Sequence, residues 1–291
     1  MFQGSIVAIV TPFKNDKLDE EALSNLIEWH IAQGTNAIVP CGTTGESATL
    51  EYDEHYRVID LTIQVVKGRV PVIAGTGANS TSETIIMTRK AMELGADGAL
   101  LVAPYYNKPT QEGLYRHYKT IAEAVDIPQV LYNVPGRTAV NVLPETVARL
   151  ADIRNIVAIK EATGNMAQVS EVIRLCGDKI TVLSGDDFTT FNLMLLGGKG
   201  TISVSANVAP NDVSAMCRAL LKGNVDEARK LHFKLEPLNK AMFIETNPIS
   251  VKTALSLMGK IQEEMRLPLC EMSSENREKL KNVLINYGVV L

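Results

Sequence analysis

The chain has 291 residues, 46% hydrophobic and 21% charged, a balance that excludes a disordered or collagen-like polymer. Its 29 basic and 33 acidic side chains leave a net charge of −4, and with no basic block in the sequence a nucleic-acid partner is excluded. A domain averages about 150 residues, so the length implies either two ordinary domains or one barrel-sized domain with a tail. The longest apolar runs, such as 6–10 and 99–103, are strand-sized and far short of the ~20 residues of a membrane span. The first residues lack the positive region of a secretory signal. Cys41, Cys176, Cys217 and Cys270 have no zinc-like spacing and read as reduced thiols, which places the protein in the cytoplasm.

Short β-rich runs predict strands at 5–11, 37–41, 71–74, 98–103, Gln129–Asn133, 156–160, 180–184 and 201–205. Helical periodicity fills the gaps. Residues 19–33 carry Leu23, Leu26, Ile27 and Ile31 on one face, and 52–67 carry Val58, Leu61, Val65 and Val66. Further helices are predicted from Thr81, Gln111, Pro144, Asn165, Thr189 and Pro210. Strands this uniformly apolar are covered on both faces, and parallel neighbours require a crossover. An open doubly wound sheet would meet the same pattern. Eight similar units and no glycine fingerprint after the first strand favour a (β/α)8 TIM barrel of the α/β class. The barrel occupies 1–223. Residues 224–291 form a helical C-terminal domain, with helices at 225–243, 248–258 and 276–287 and a break at Leu267-Pro268, too small to be self-sufficient and expected to pack on the barrel or on another subunit.

In such a barrel chemistry sits at the carboxyl ends of the strands. The sixth run ends Ile159-Lys160-Glu161, and alternation lets only one of the last two side chains face inward. If that is Lys160, apolar walls disfavour its charged form, and a neutral amine attacks a ketone to form a Schiff base. A strand-end lysine can instead snorkel to solvent. After the second run, Gly42-Thr43-Thr44-Gly45-Glu46 offers two hydroxyls and converging amides to a carboxylate or phosphate, or forms an ordinary βα turn; Glu46 would cap the next segment or hydrogen-bond beneath the loop. Tyr105, Tyr106 and Tyr132 stand at strand ends as proton relays or as half-buried hydrogen-bonded rings, and Arg137 is placed to fork onto a carboxylate or to lie on the surface. Gly197-Gly198-Lys199-Gly200 precedes the last strand, on the opposite face, and reads as a tight turn. Asp186-Asp187 lacks companions for a metal. His30, His55, His117 and His232 lie in helical segments, none of them placed for catalysis.

Together, Gly42-Thr43-Thr44-Gly45-Glu46, Tyr132-Asn133-Val134-Pro135-Gly136-Arg137-Thr138 and Ile159-Lys160-Glu161-Ala162 make the chain resemble the dihydrodipicolinate synthase family of pyruvate-dependent class I aldolases, over essentially its whole length. The resemblance implies condensation of pyruvate with L-aspartate 4-semialdehyde to 4-hydroxy-tetrahydrodipicolinate, the entry step of the diaminopimelate/lysine pathway. It implies Lys160 as the Schiff-base residue, and Tyr132, Thr43 and Tyr106 as a proton relay. Thr44 would join Thr43 on the pyruvate carboxylate, Arg137 would orient the semialdehyde carboxylate, and the Ile202 carbonyl would face the site. It implies no metal or diffusible cofactor. It implies a homotetramer, a dimer of dimers in which Tyr106 reaches into the neighbouring subunit's site. It also implies L-lysine as an effector at Ser47, Ala48, Tyr52, His55, Asn79, Glu83 and Tyr105, although Tyr52 stands where lysine-sensitive relatives commonly carry histidine.

Three rival readings remain. One is a lyase for sialic acid or a ketodeoxy-sugar acid, which would ask for neutral partners where Arg137 stands. The others are a non-catalytic metabolite-binding barrel and a dinucleotide oxidoreductase.

Overall fold

The computed structural model describes residues 2–291. Eight strands, β1 (Gly4–Ala8), β2 (Ala37–Val39), β3 (Ile73–Gly75), β4 (Gly98–Val102), β5 (Gln129–Asn133), β6 (Ile156–Glu161), β7 (Thr181–Ser184) and β8 (Gly200–Ser203), form one parallel sheet in the order β2-β1-β8-β7-β6-β5-β4-β3. A parallel bridge between Ile38 and Val72 joins the two ends of that order, as do the bonds Ile38 N to Pro71 O and Gly75 N to Pro40 O at 3.0 Å each. The sheet therefore closes, and the barrel expected from the sequence is present. The connecting helices are α1 (Glu20–Ala32), α2 (Tyr52–Val66), α3 (Thr81–Leu94), α4 (Gln111–Ala124), α5 (Pro135–Thr138), α6 (Pro144–Leu150), α7 (Met166–Cys176), α8 (Thr190–Leu195) and α9 (Pro210–Leu221).

Strand alternation divides the core into two layers. Ile6, Ala8, Val39, Ile73, Leu100, Val130, Tyr132, Ala158, Leu183 and Ile202 fill the barrel interior. Their neighbours along the strands, such as Val7, Ile38, Leu101, Leu131 and Ile159, pack outward beneath the helices.

Several strands stop earlier than the sequence predicts, and for two of them the cause is visible. The run 5–11 ends at Ala8 because the Asn207 side chain takes over the ladder, accepting from Val10 N at 3.3 Å and donating to Ala8 O at 2.8 Å. The run 37–41 ends at Val39 because Pro40 has no N–H to donate and Cys41 adopts a left-handed φ of 54°. The structure also contains a hairpin that periodicity does not predict, Phe13–Lys14 against Lys17–Leu18, turning through Asn15 and Asp16 at φ 55° and 58°.

After Gly223 come α10 (Val225–Ala241), α11 (Ile249–Leu257) and α12 (Ser274–Tyr287). Their buried residues, among them Leu235, Leu238, Ala254, Leu255, Leu280 and Leu284, share one core with Leu23 and Leu26 of α1 and Val58 and Ile59 of α2. Each such leucine contributes roughly 1.5–3 kcal/mol of burial, and the tail is welded to the barrel wall by them. Among the described residues no helix is long and apolar enough to cross a membrane.

Candidate active site

Lys160 and Glu161 close β6 and point opposite ways, as alternation requires. Register sets Tyr132 beside Lys160 and Asn133 beside Glu161. The inward pair meets inside the barrel, where the Lys160 Nζ stands 4.1 Å from the centre of the Tyr132 ring. Lys160 is only 5% exposed and, among the described residues, has no carboxylate partner; the fully buried ion pair of the chain is elsewhere, between Lys252 and Glu46. The outward pair anchors both strands from behind. Glu161 Oε2 accepts from Asn133 Nδ2 at 3.1 Å and from Gln168 Nε2 of α7 at 3.5 Å, and its Oε1 accepts from Thr163 N at 2.8 Å. Burial pushes the Glu161 carboxyl above its ordinary range, with these hydrogen bonds opposing.

The loop after β2 approaches β3 so closely that a Cβ on Gly75 would fall 2.1 Å from Cys41 O, so only glycine fits there. The turn is held by Gly45 N to Gly42 O and Glu46 N to Thr43 O, each at 3.1 Å, and by the Thr11 hydroxyl on Gly45 O at 2.7 Å. The backbone N–H groups of Thr43 and Thr44 find no acceptor among the described residues and are available to an anion. Thr44 Oγ1 accepts from Asn247 Nδ2 at 3.1 Å, which leaves the threonine's own hydroxyl proton free to be donated elsewhere.

Thr43, Tyr132 and Arg137 line a cavity of about 520 Å³ at the mouth of the barrel, together with Thr246 and Asn247 from the tail. Arg137 sits on α5, a short helix where the sequence predicts only a strand-end loop, and its Nη2 donates to Asn247 O at 3.0 Å. Lys160, Thr44 and Ile202 are buried and are not among the side chains that line the cavity. Tyr106 is not brought to this mouth. It is 89% exposed and its backbone is left-handed, at φ 73°.

The same cavity runs on past Ser47, Ala48, Tyr52, His55, Glu83 and Tyr105. There the Tyr52 hydroxyl donates to Glu83 Oε1 at 2.7 Å, and Asn79, outside the lining, donates to Tyr105 O at 3.3 Å. His55 is buried with Nε2 2.8 Å from Gly75 O. The other flagged residues have structural roles. Burial raises the Cys41 thiol well above its ordinary range and lowers His30 to about 3 and His117 to about 4. Asp187 accepts from Ser203 Oγ, Val204 N and Ser205 N, fixing the turn after β8. Among the described residues no cluster of three or more His, Cys, Asp or Glu side chains could hold a metal ion.

Residues 1–286 match the model of the dihydrodipicolinate synthetase family. The chain belongs to that family. Over their whole lengths it is 69% identical to the 4-hydroxy-tetrahydrodipicolinate synthase of Thermodesulfovibrio yellowstonii. Its fold is similar to that of the Aquifex aeolicus dihydrodipicolinate synthase, with a TM-score of 0.98 and 53% identity, covering 100% of this chain and 99% of that one. It is equally similar to the chloride-inhibited Acinetobacter baumannii enzyme complexed with pyruvate, with a TM-score of 0.98 and 52% identity over 100% of both chains. Membership of this family rules out the oxidoreductase reading and leaves the barrel with synthase relatives.

Proposed function

We propose that the chain is a 4-hydroxy-tetrahydrodipicolinate synthase, a Schiff-base lyase that condenses pyruvate with L-aspartate 4-semialdehyde, and that Lys160 is its nucleophile. The observation that carries this is the inward, buried, carboxylate-free amine of Lys160 over the Tyr132 ring. The Thr43 and Thr44 amides and hydroxyls hold the pyruvate carboxylate, as oriented donors hold an anion out of water. The Lys160 nitrogen adds to the ketone carbon of pyruvate, and loss of water gives an iminium. A methyl proton then leaves, forming an enamine whose terminal carbon attacks the aldehyde of the semialdehyde. The resulting alkoxide takes up a proton. The substrate's own amine closes the ring on the iminium carbon and expels Lys160. Every step moves a proton, for which Tyr132, Thr43 and a Tyr106 supplied by a second copy form the relay. No step calls on a metal or diffusible cofactor.

Arg137 meets the semialdehyde carboxylate, its guanidinium oriented by Asn247 O. Borohydride trapping with pyruvate alone, read by peptide mass spectrometry, should place the reduced adduct on Lys160. Arg137→Ala should still be trapped while its kcat/KM for the semialdehyde falls about 10- to 150-fold, the loss of a charge-assisted contact of about 1.5–3 kcal/mol. Parallel loss of trapping and turnover would remove the role assigned to Arg137, and an unmodified Lys160 would remove the imine. Turnover of pyruvate with N-acetylmannosamine in place of the semialdehyde would favour the sugar-acid lyase instead.

Residues 1–223 are the catalytic barrel in this reading, and 224–291 the helical domain attached to it. The exposed Tyr106 supports assembly as a dimer of dimers, and the four free thiols support work in the cytoplasm. The second lobe of the cavity is assigned to L-lysine, with Glu83 facing its ammonium groups and Ser47, Ala48, Tyr52, His55, Asn79 and Tyr105 around it. The Tyr52 hydroxyl donates to Glu83 Oε1, so an incoming ammonium would share that carboxylate with it, and weak inhibition is expected. Titration calorimetry showing no heat with L-lysine, together with unchanged turnover, would dismiss this effector site.

A further inference from the structure

Glu46 ends the Thr43–Thr44 loop with a left-handed backbone, φ 54° and ψ 36°, uncommon for a residue with a side chain. Its carboxylate turns down into the protein. There Oε1 meets Lys252 Nζ of α11 at 2.5 Å, with side-chain exposures of 1% and 0%, across 206 residues of sequence. Oε2 accepts from Arg266 N at 3.1 Å. The Phe13 ring is flanked by both cations, 4.3 Å from Lys252 Nζ and 4.2 Å from the Arg266 guanidinium carbon. Five residues before Lys252, Asn247 holds Thr44. A single segment of the helical domain thus grips the loop both at its threonine and at its glutamate.

Removing two charges from water roughly cancels their mutual attraction, so a buried pair adds little net stability over apolar side chains of the same volume. What it does supply is geometry. A left-handed residue is kept in place by its surroundings: the backbone bonds Glu46 N to Thr43 O and Thr49 N to Glu46 O hold its main chain, and Lys252 and the Arg266 amide are what hold its side chain. A loop allowed to relax at Glu46 would move the Thr43 and Thr44 amides that precede it.

We propose that the buried Lys252–Glu46 pair is a positioning device by which the helical domain sets the affinity of the barrel for pyruvate; the inference rests on the reading of the Thr43–Thr44 loop as the carboxylate cradle. Lys252 and Glu46 touch no reacting atom. Their effect is on the concentration at which pyruvate fills the site, and not on the chemistry once it is filled.

The test uses the full chain carrying Lys252→Met, which strands a buried carboxylate, and the double variant Lys252→Met/Glu46→Gln, which neutralises both partners at similar volume. Thermal unfolding reports the fold, and borohydride trapping on Lys160 against pyruvate concentration reports the cradle. The double variant should melt closer to the parent than Lys252→Met does, yet still need about tenfold more pyruvate for half-maximal trapping, the equivalent of one good hydrogen bond. The trapped fraction at saturation and the half-saturating semialdehyde concentration should stay within roughly threefold of the parent. A folded double variant that half-saturates within about twofold of the parent overturns the proposal, leaving the pair a purely structural one. A parent that pyruvate and borohydride fail to modify overturns the cradle reading itself, a result distinct from a normally trapped parent with unshifted variants.

Discussion

Lys160→Ala is expected to abolish adduct formation and to lower turnover by roughly four to six orders of magnitude, the scale on which removal of a covalent nucleophile acts. The reason is chemical and not steric. Pyruvate's methyl group releases a proton readily only when its carbonyl has become an iminium. Among the described residues the one other buried lysine is Lys252, and it is closed off by Glu46. Lys160→Arg separates charge from nucleophilicity. Its guanidinium keeps a cation near the Tyr132 ring but cannot be deprotonated to attack a ketone, so it should be as inactive as alanine. Steady-state turnover with both substrates, checked against circular dichroism for an intact fold, measures both variants. Either one retaining more than about a tenth of the parent rate would mean that the barrel works without the imine.

What the sequence made legible follows from what is local. Period-two alternation at the end of β6 forces Lys160 and Glu161 apart, so the strand-end dipeptide foretold that one would face inward and the other outward, and the fold decides that the amine is the inward one. The glycines around Thr43 and Thr44 marked a loop that could be either an anion cradle or an ordinary turn, and the structure leaves its Thr43 and Thr44 amides without acceptors among the described residues. Three unseen features depend on distant partners. Asn247 looks like a loop asparagine until the tail brings it to Thr44 and Arg137, 203 and 110 residues away. Lys252, in a helix with no marked polar face, gives no sign that it will be fully buried on a glutamate 206 residues earlier. The early end of β1 has the same cause, since Asn207 captures its backbone from 199 residues away. The hairpin from Phe13 to Leu18 escaped for a different reason. Asn15-Asp16 is a credible left-handed turn pair, but two-residue strands are too short to show alternation.

Gly185→Ala, just past β7, should slow imine formation about 10- to 100-fold with little change in fold. The added methyl would lie 2.8 Å from Lys160 Cγ, 2.9 Å from Lys160 Cε and 2.8 Å from Ala162 Cβ, where carbon atoms prefer about 3.5–4.0 Å. Something must yield. The backbone on either side resists, because Gly185 N is bonded to Glu161 O at 2.8 Å and Ala162 N to Asn133 O at 2.9 Å. The lysine stem is the softer partner, since its torsions turn at lower cost than the closed sheet deforms. Rotating that stem carries Nζ off the Tyr132 face, and misplacing a reacting atom by about 1 Å costs on the order of 10²-fold. Gly185 is not in the left-handed region, so alanine adds no backbone strain, and overpacking is the only penalty, about 1–3 kcal/mol of stability. The discriminating measurement is the single-turnover rate of borohydride-trappable adduct at saturating pyruvate. A large fall in that rate with an intact melting transition is the expected result. A rate within about threefold of the parent would show that the Lys160 stem finds an equally good path around the methyl, and that the bare α-carbon at 185 is not what aims the amine.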